Sequence, residues 1–210
     1  RQLWIADGDK TYQLTKFEQG LKTSRYDWSP DGNTLVINVG YQIVLVKLDG
    51  SHETIDSPFA INLMMPWTKQ DKLLVVDSQG NKNQLYSLDL KSGAFTELKA
   101  NNVLWAAYTA NDQVIYADQQ KHFWHLVGDK TQALPKLSKK LEGTYLLLKG
   151  DHLYGIDMQF QFWRYSLTED KLDVVSTLDK DISYVSDMKG DNILASKFIG
   201  GRRELVELSQ

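Results

Sequence analysis

Short apolar and aromatic runs alternate with polar, turn-forming clusters along the whole chain, and the i, i+3, i+4 spacing of an amphipathic helix is almost missing. A polar residue opens many of the runs: Gln2-Leu3-Trp4, Gln42-Ile43-Val44, Gln84-Leu85-Tyr86, His122-Phe123-Trp124, Gln161-Phe162-Trp163 and Glu204-Leu205-Val206. These anchors are spaced 40, 42, 38, 39 and 43 residues apart. A second series agrees. Trp28, Trp67 and Tyr108 each stand seven residues before an apolar residue, Leu35, Leu74 and Ile115, at steps of 39 and 41. Two independent series thus give a repeat of about 40 residues.

One repeat reads as four short strands. Residues 25–28 form the first strand, and Ser29-Pro30-Asp31-Gly32 is a turn in which Pro presets φ and Asp-Gly supplies the bend. Residues 34–39 form the second strand, 42–48 the third, Asp49-Gly50 a further turn, and 53–55 the fourth. The same reading fits residues 61–98, 103–134 and 144–175, with turn signals at Lys91-Ser92-Gly93, Gly128-Asp129-Lys130, Lys149-Gly150-Asp151 and Lys189-Gly190-Asp191. A four-strand unit at this period predicts an all-β fold, a β-propeller of four-stranded blades. The second strands (73–76, 114–116 and 153–156) are continuously apolar, as strands covered on both faces are. Trp4, Tyr86, Trp124 and Trp163 share one repeat position and are expected to fill the gaps between adjacent blades.

The predicted organisation is a single propeller domain, 1–210, with six blade positions. Residues 24–56, 61–99, 103–135 and 144–178 are full blades, and 1–17 and 182–210 are partial ones. The first partial blade supplies only third and fourth strands (2–6 and 12–17), and the last supplies a first, second and third (183–187, 192–197 and 204–208). The chain therefore reads as the greater part of a six-bladed propeller whose first strands lie upstream. A five-bladed ring with one strand left over is the alternative, and seven or eight blades would need still more upstream sequence.

Composition narrows the function. Of the 210 residues, 42% are hydrophobic and 24% charged, the balance of a folded globular chain. No apolar run reaches membrane-span length, so no span is expected within this chain. The net charge of −3 lacks the basic footprint of a nucleic-acid binder, so no direct nucleic-acid contact is expected. With no Cys there is no disulfide, thiolate metal site or Cys nucleophile.

The search for chemistry finds little. No Gly-x-Ser-x-Gly elbow, Walker loop or dinucleotide fingerprint occurs, and Gly200-Gly201-Arg202-Arg203 reads as a hairpin turn. His122 and His125 are an odd number of residues apart on a predicted strand, so they point to opposite faces and make no metal pair. His152 reads as a solvated turn residue. No catalytic residue, metal or cofactor is expected. One series stands apart: Asn38, Asp77, Asp118, Asp157 and Lys197 share the repeat position at the end of the second strand. They place charged and polar groups in equivalent loops, a candidate surface for a cation, a basic peptide or a protein partner. The same residues also suit plain turn formation. The loop Asp77 to Asn83 is the longest and most polar of the set, Met158-Gln159-Phe160 offers an apolar tip suited to a protein contact, and the basic stretch 136–140 reads as a solvated connection.

The stretch Tyr26-Asp27-Trp28-Ser29-Pro30-Asp31-Gly32-Asn33-Thr34-Leu35-Val36-Ile37, continued through 42–48 and Asp49-Gly50, resembles the signature of TolB-like propeller repeats. Pro66-Trp67-Thr68-Lys69-Gln70-Asp71-Lys72-Leu73 is similar to a decayed copy that keeps the Trp and loses the Pro-Asp-Gly turn, and later units keep only the period. No Trp-Asp pair closes a unit, so the repeat of eukaryotic WD proteins fits less well. The resemblance implies one of three settings: the extracytoplasmic sensory domain of a membrane-bound CadC/ToxR-type transcriptional regulator, a TolB-type periplasmic protein-interaction scaffold, or the non-catalytic propeller of a prolyl-oligopeptidase-type peptidase. Degenerate repeats and the lack of Cys look most like the first. That reading implies a non-enzymatic, periplasmic domain of an inner-membrane protein. It would have a winged helix and one span upstream, a protein or small-molecule signal at the propeller rim, and a homodimer among its assemblies.

Overall fold

The structure is a computed structural model that describes residues 2–18, 25–77, 82–138, 140, 146–190 and 192–209. The described residues are strands and turns, apart from one 3-10 turn at Pro135–Leu137. The chain divides into two compact units, Arg1–Tyr108 and Thr109–Gln210.

Every sheet is an antiparallel meander, with strands numbered here in chain order. The first is a two-stranded sheet, β1 (Trp4–Asp7) and β2 (Lys10–Gln13). Four four-stranded sheets follow: β3–β6 (Tyr26–Trp28, Thr34–Val39, Gln42–Lys47, His52–Asp56), β7–β10 (Ile61–Met64, Lys72–Asp77, Gln84–Asp89, Phe95–Glu97), β11–β14 (Val103–Tyr108, Val114–Asp118, Phe123–Val127, Lys130–Ala133) and β15–β18 (Leu147–Lys149, His152–Ile156, Gln161–Ser166, Lys171–Thr177). The last sheet has three strands, β19 (Ile182–Lys189), β20 (Asn192–Ile199) and β21 (Arg202–Ser209). The blade pattern read from the repeat is therefore present, but the count is corrected. Among the described residues five sheets have the three or four strands of a blade, rather than six, because the first position holds only the β1–β2 hairpin. Its second strand also ends earlier than expected, at Gln13. The Leu14 and Thr15 amides both converge on the Leu3 carbonyl, at 2.9 and 3.4 Å, which breaks the ladder. His152 opens strand β16 instead of sitting in the turn before it.

The Ser29–Gly32 turn shows why the repeat signature takes the form it does. The Asp31 carboxylate accepts the Ser29 hydroxyl at 2.5 Å and the Asn33 amide at 3.1 Å, while Ser29 Oγ accepts the Thr34 amide at 2.9 Å. Gly32 sits at φ +73°, where a Cβ would be strained. The polar anchors have a job too. Gln84 Nε2 donates to the Leu98 and Ala100 carbonyls at 2.6 and 3.1 Å, and Gln2 Nε2 donates to the Phe17 carbonyl at 2.7 Å. Each fastens the start of a third strand to the chain that leaves the fourth.

The cores lie between sheets. In the first unit, Leu35, Ile37, Val44 and Val46 pack against Leu3, Ile5 and Leu14, while the other face of the same sheet, Val36 and Ile43, packs against Phe59, Ile61, Trp67 and Leu73. In the second unit, Phe162 and the half-buried Tyr154 and Val175 pack against Ile182, Val185 and Ile193. The middle strands are covered on both faces, which is why β4, β8 and β12 read as unbroken apolar runs. The aromatic series meets three different fates. Tyr86 packs on Phe59, in the connection between β6 and β7, with ring centroids 4.4 Å apart and borders the core that also holds Val36 and Ile43 of the preceding sheet, and Trp163 is fully buried. Trp124 is half-buried and stacks on Tyr116 of its own sheet. Trp4 is 60% exposed, a correction that follows from the incomplete first sheet.

Hydrogen bonds also link successive repeats close to one shared position. Asp27 Oδ2 accepts the Trp67 amide at 2.8 Å, 40 residues on, and its Oδ1 accepts the Trp28 amide at 2.8 Å. Thr68 Oγ1 accepts the Tyr108 amide at 2.9 Å and donates to the Tyr108 carbonyl at 3.1 Å, again 40 residues on. Gln70 Nε2 reaches Asp31 Oδ2 at 3.1 Å. Burial holds Asp27 above the usual carboxylate range despite its two amide donors.

Trp163 is accommodated by the glycine paired opposite it in the ladder, Gly155. A Cβ on Gly155 would lie 2.4 Å from Trp163 Cζ2 and 2.9 Å from Leu146 Cδ2. Gly155→Ala is therefore expected to lower stability by about 1–3 kcal/mol, the cost of overpacking a filled interior. Urea denaturation checks this, and an unchanged midpoint would show that the sheet has room to spare.

Candidate functional site

The five repeat-equivalent residues all lie where a second strand runs into the loop leading to the third, and they do different things there. Asp118 and Asp157 build the same loop twice. The Asp118 amide donates to the His122 carbonyl at 3.0 Å, the Lys121 amide donates back to the Asp118 carbonyl at 2.9 Å, and Asp118 Oδ1 accepts the His122 amide at 2.9 Å. One repeat later, the Asp157 amide donates to the Gln161 carbonyl at 3.1 Å, the Phe160 amide to the Asp157 carbonyl at 3.0 Å, and the Gln161 amide to Asp157 Oδ1 at 3.1 Å. The residue before that donating amide has positive φ in both, +65° at Lys121 and +59° at Phe160. Both carboxylates are buried. Each satisfies backbone donors of its own hairpin, so the loop tip is held without help from the tip's side chains.

Their remaining oxygens reach further. Asp118 Oδ2 accepts the Trp124 indole N–H at 2.9 Å and lies 3.4 Å from His122 Nδ1. Asp157 Oδ2 accepts Lys140 Nζ at 2.7 Å in a largely buried ion pair. Burial alone would push Asp157 up, but the Lys140 ammonium and the Gln161 and Gln159 amides hold it below the usual carboxylate range. The described part of the basic stretch 136–140 is solvated only in part: Lys136 pairs with Asp170 in the open, whereas Leu137 is fully buried and Lys140 is held by the buried Asp157.

Asn38 and Lys197 bind neighbouring segments instead. Asn38 Nδ2 donates to the Ile61 carbonyl, at the entry to the next sheet, at 2.8 Å. Lys197 Nζ pairs at 2.8 Å with Asp179, in the connection from the preceding sheet. Lys197 also lines a cleft of about 260 Å³ with Ser176, Asp179, Ile182, Ile193 and Leu208. Asp77 ends β8 opposite Gln84, and most of the polar loop after it falls outside the described residues. Asn38 and Asp77 belong to the first unit, and Asp118, Asp157 and Lys197 to the second.

Three of these corners expose apolar side chains, whereas at the Asp118 corner Gln119, Gln120, Lys121 and His122 are exposed and polar. Met158 is 69% exposed with Phe160 beside it, and Phe198 and Ile199 are exposed at the equivalent corner of the next sheet. In the first unit, Tyr41 is 58% exposed in the tight corner between β4 and β5. Sequence reading singled out the Met158–Phe160 tip and missed Tyr41, Phe198 and Ile199. Their signal was available: each falls within a few residues of the shared repeat position. Single exposed apolar residues are ordinary; here they stand at or just after the ends of β4, β16 and β20.

The histidines do not assemble a site. His122 precedes β13, and His125 lies within it with Nε2 buried and unpartnered, where burial lowers its pKa. Among the described residues, no group of three or more His, Asp or Glu is placed to hold a metal ion, and no helix is long and apolar enough to cross a membrane.

No protein-family model and no curated protein matches the sequence. Solved structures do match its fold. A TolB of Acinetobacter baumannii is similar over 99% of this chain and 57% of its own, with a TM-score of 0.67 and 16% identity. A TolB of Agrobacterium tumefaciens is similar over 95% of this chain and 85% of its own, at 0.66 and 15%. The extracellular domain of a hybrid two-component system from B. thetaiotaomicron is similar over 100% of this chain and 29% of its own, at 0.64 and 15%. The chain has a TolB-like β-propeller fold.

Replacing Lys140 by Met is expected to leave the buried Asp157 carboxylate without its cationic partner and to lower stability by about 1.5–3 kcal/mol at neutral pH. Because Asp157 titrates below the usual range, the stabilisation is fully present above that range and is lost as the pH falls through the Asp157 pKa. The gap between wild type and Lys140→Met should therefore close on acidification. Denaturation midpoints measured across the acidic range check it; a constant gap would mean that Lys140 acts through packing alone.

Proposed function

We propose that this chain is a non-enzymatic sensory and protein-binding propeller, the extracytoplasmic, periplasmic domain of a membrane-bound CadC/ToxR-type transcriptional regulator. The observation that carries the reading is the Met158–Phe160 tip, exposed and apolar on a loop fixed by Asp157 and Lys140. A rigid loop bearing an apolar tip loses little conformational freedom on binding, so it suits recognition of a protein surface. The likeness over the whole chain to the extracellular domain of a two-component system supports a sensory setting, by analogy of fold. Binding at the corner loops would change how subunits meet and so carry a signal across the membrane.

A second reading, a TolB-type periplasmic interaction scaffold, is favoured by the two TolB structures and uses the same corner loops. The sequence of the parent gene separates the two. A winged-helix pattern and an apolar span upstream support the regulator, and a cleavable signal peptide without a span supports the scaffold.

The tip itself is tested by Met158→Asp combined with Phe160→Asn, since Asn tolerates the positive φ at 160. The double variant is expected to keep the wild-type melting temperature within a few degrees, as surface changes do. In the full-length parent it should lose at least about tenfold of the signal-dependent reporter response, the effect of removing an interface anchor. A full response with a normal melt would remove the tip from the binding surface.

A further inference from the structure

The chain has four methionines and no cysteine, so sulfur oxidation within it falls on thioethers alone. The four are placed unequally. Met64 and Met65 are buried, at 4% and 2% exposure, and Met188 is half-buried against the core of the last sheet. Met158 is 69% exposed, in the corner between β16 and β17. A peroxide in solution reaches a sulfur where solvent reaches it, so the fold directs oxidation to this one.

The corner does not need the thioether. Asp157 Oδ1 accepts the Gln159 and Gln161 amides at 3.0 and 3.1 Å, and the Asp157 carbonyl accepts the Phe160 amide at 3.0 Å. Lys140 Nζ holds the other carboxylate oxygen at 2.7 Å. These bonds are made by the backbone, Asp157 and Lys140. A change at the Met158 sulfur therefore alters what the tip presents without releasing the tip. An oxygen on that sulfur replaces a soft, apolar end with a polar group. Pressed against an apolar partner surface, that group would be buried without a hydrogen-bond partner.

We propose that Met158 is a reversible oxidation site that switches off the contact made by the Met158–Phe160 tip. In the forward step a sulfur lone pair attacks one oxygen of hydrogen peroxide. An S–O bond forms, the O–O bond breaks, and the departing hydroxide takes the proton of the transferred oxygen and leaves as water. The sulfur is oxidised by two electrons and the peroxide is reduced by two. A thiol-dependent sulfoxide reductase reverses the step, removing the oxygen as water while two thiols become a disulfide. The effect on binding rests on the protein-binding reading of the tip, whereas the selectivity for Met158 does not.

Limited treatment of the folded chain with hydrogen peroxide, followed by trypsin digestion and mass spectrometry, tests the site. Tryptic peptides 48–69, 150–164 and 181–189 carry Met64 with Met65, Met158, and Met188 respectively. Peptide 150–164 should gain one oxygen at least about tenfold faster than 48–69. The melting temperature of the product should stay within a few degrees of the untreated chain, as for other surface changes. In the full-length parent, peroxide should lower the signal-dependent reporter response about tenfold, the effect of losing one buried apolar side chain from an interface. Met158→Leu keeps an apolar tip without an oxidisable sulfur, so it should respond normally with or without peroxide. Met158→Gln is polar like the sulfoxide, so it should respond weakly even without peroxide. Oxidation spread evenly over the four methionines overturns the proposal. So does a Met158→Leu response that peroxide still abolishes. A full response from Met158→Gln beside a lost response from the double variant at 158 and 160 removes the switch and leaves the tip; full responses from both remove the two together.

Discussion

A four-stranded antiparallel sheet whose middle strands are apolar on both faces cannot stand in water alone. The rest of this structure depends on that constraint. Val36 and Ile43 look one way from β4 and β5, and Leu35, Ile37, Val44 and Val46 look the other. Such a sheet is covered twice, and the chain meets the demand by repeating itself: within each unit the described cores lie between successive sheets. Buried apolar surface contributes roughly 25 cal/mol per Å², without direction. The direction comes from the bonds that recur at the repeat distance, Asp27 to Trp67 and Thr68 to Tyr108. They tie Asp27 of β3 to the segment that follows β7, and that segment to the end of β11.

The same constraint explains what was legible in the sequence. Period, strand order and the unbroken apolar second strands follow from a unit that must be buried on both faces, and they could be read directly. The Ser29-Pro30-Asp31-Gly32 turn could be read as well, because its chemistry is local and each residue type has one evident use. The reading weakened where the outcome depended on a neighbouring sheet. Trp4 and Trp163 hold the same repeat position, yet one is exposed and the other fully buried, because the first belongs to a two-stranded hairpin and the second lies over Gly155 in a complete sheet. The repeat position alone does not carry that difference. The stretch 136–140 could be read only in part for the same reason: its partners, Asp157 and Asp170, stand far along the chain, and only the fold brings them to Lys140 and Lys136.

The candidate site was legible in place but not in kind. The shared position of Asn38, Asp77, Asp118, Asp157 and Lys197 was visible as a spacing, and its charges suggested that the carboxylates themselves receive a ligand. The structure turns Asp118 and Asp157 inwards, onto amides of their own loops and onto Trp124 and Lys140. That division of labour is what frees the tips. Where a carboxylate supplies the hydrogen bonds that a corner needs, the residues at the corner carry no obligation to the fold, and their side chains can be selected for contact. Met158 and Phe160 are exposed on such a loop. At the Asp157 corner the carboxylate turned inwards and the exposed Met158 and Phe160 divide the work; the tip and the charge were both visible in the sequence, but the inward turn of the carboxylate was not.

In the last sheet the same covering constraint bears on one face. In the four-stranded sheets the fourth strand is short or exposed and little apolar surface lies outside it: β14 is Lys-Thr-Gln-Ala, and β10 has three residues. Strand β21 is eight residues long, its outer face carries Leu205 between Arg203 and Glu207, and it pairs with β20 over its whole length. The inner face of the sheet is committed to the core with β15–β18 through Val206 and Leu208, and Glu204 on the same face stays exposed beyond that core.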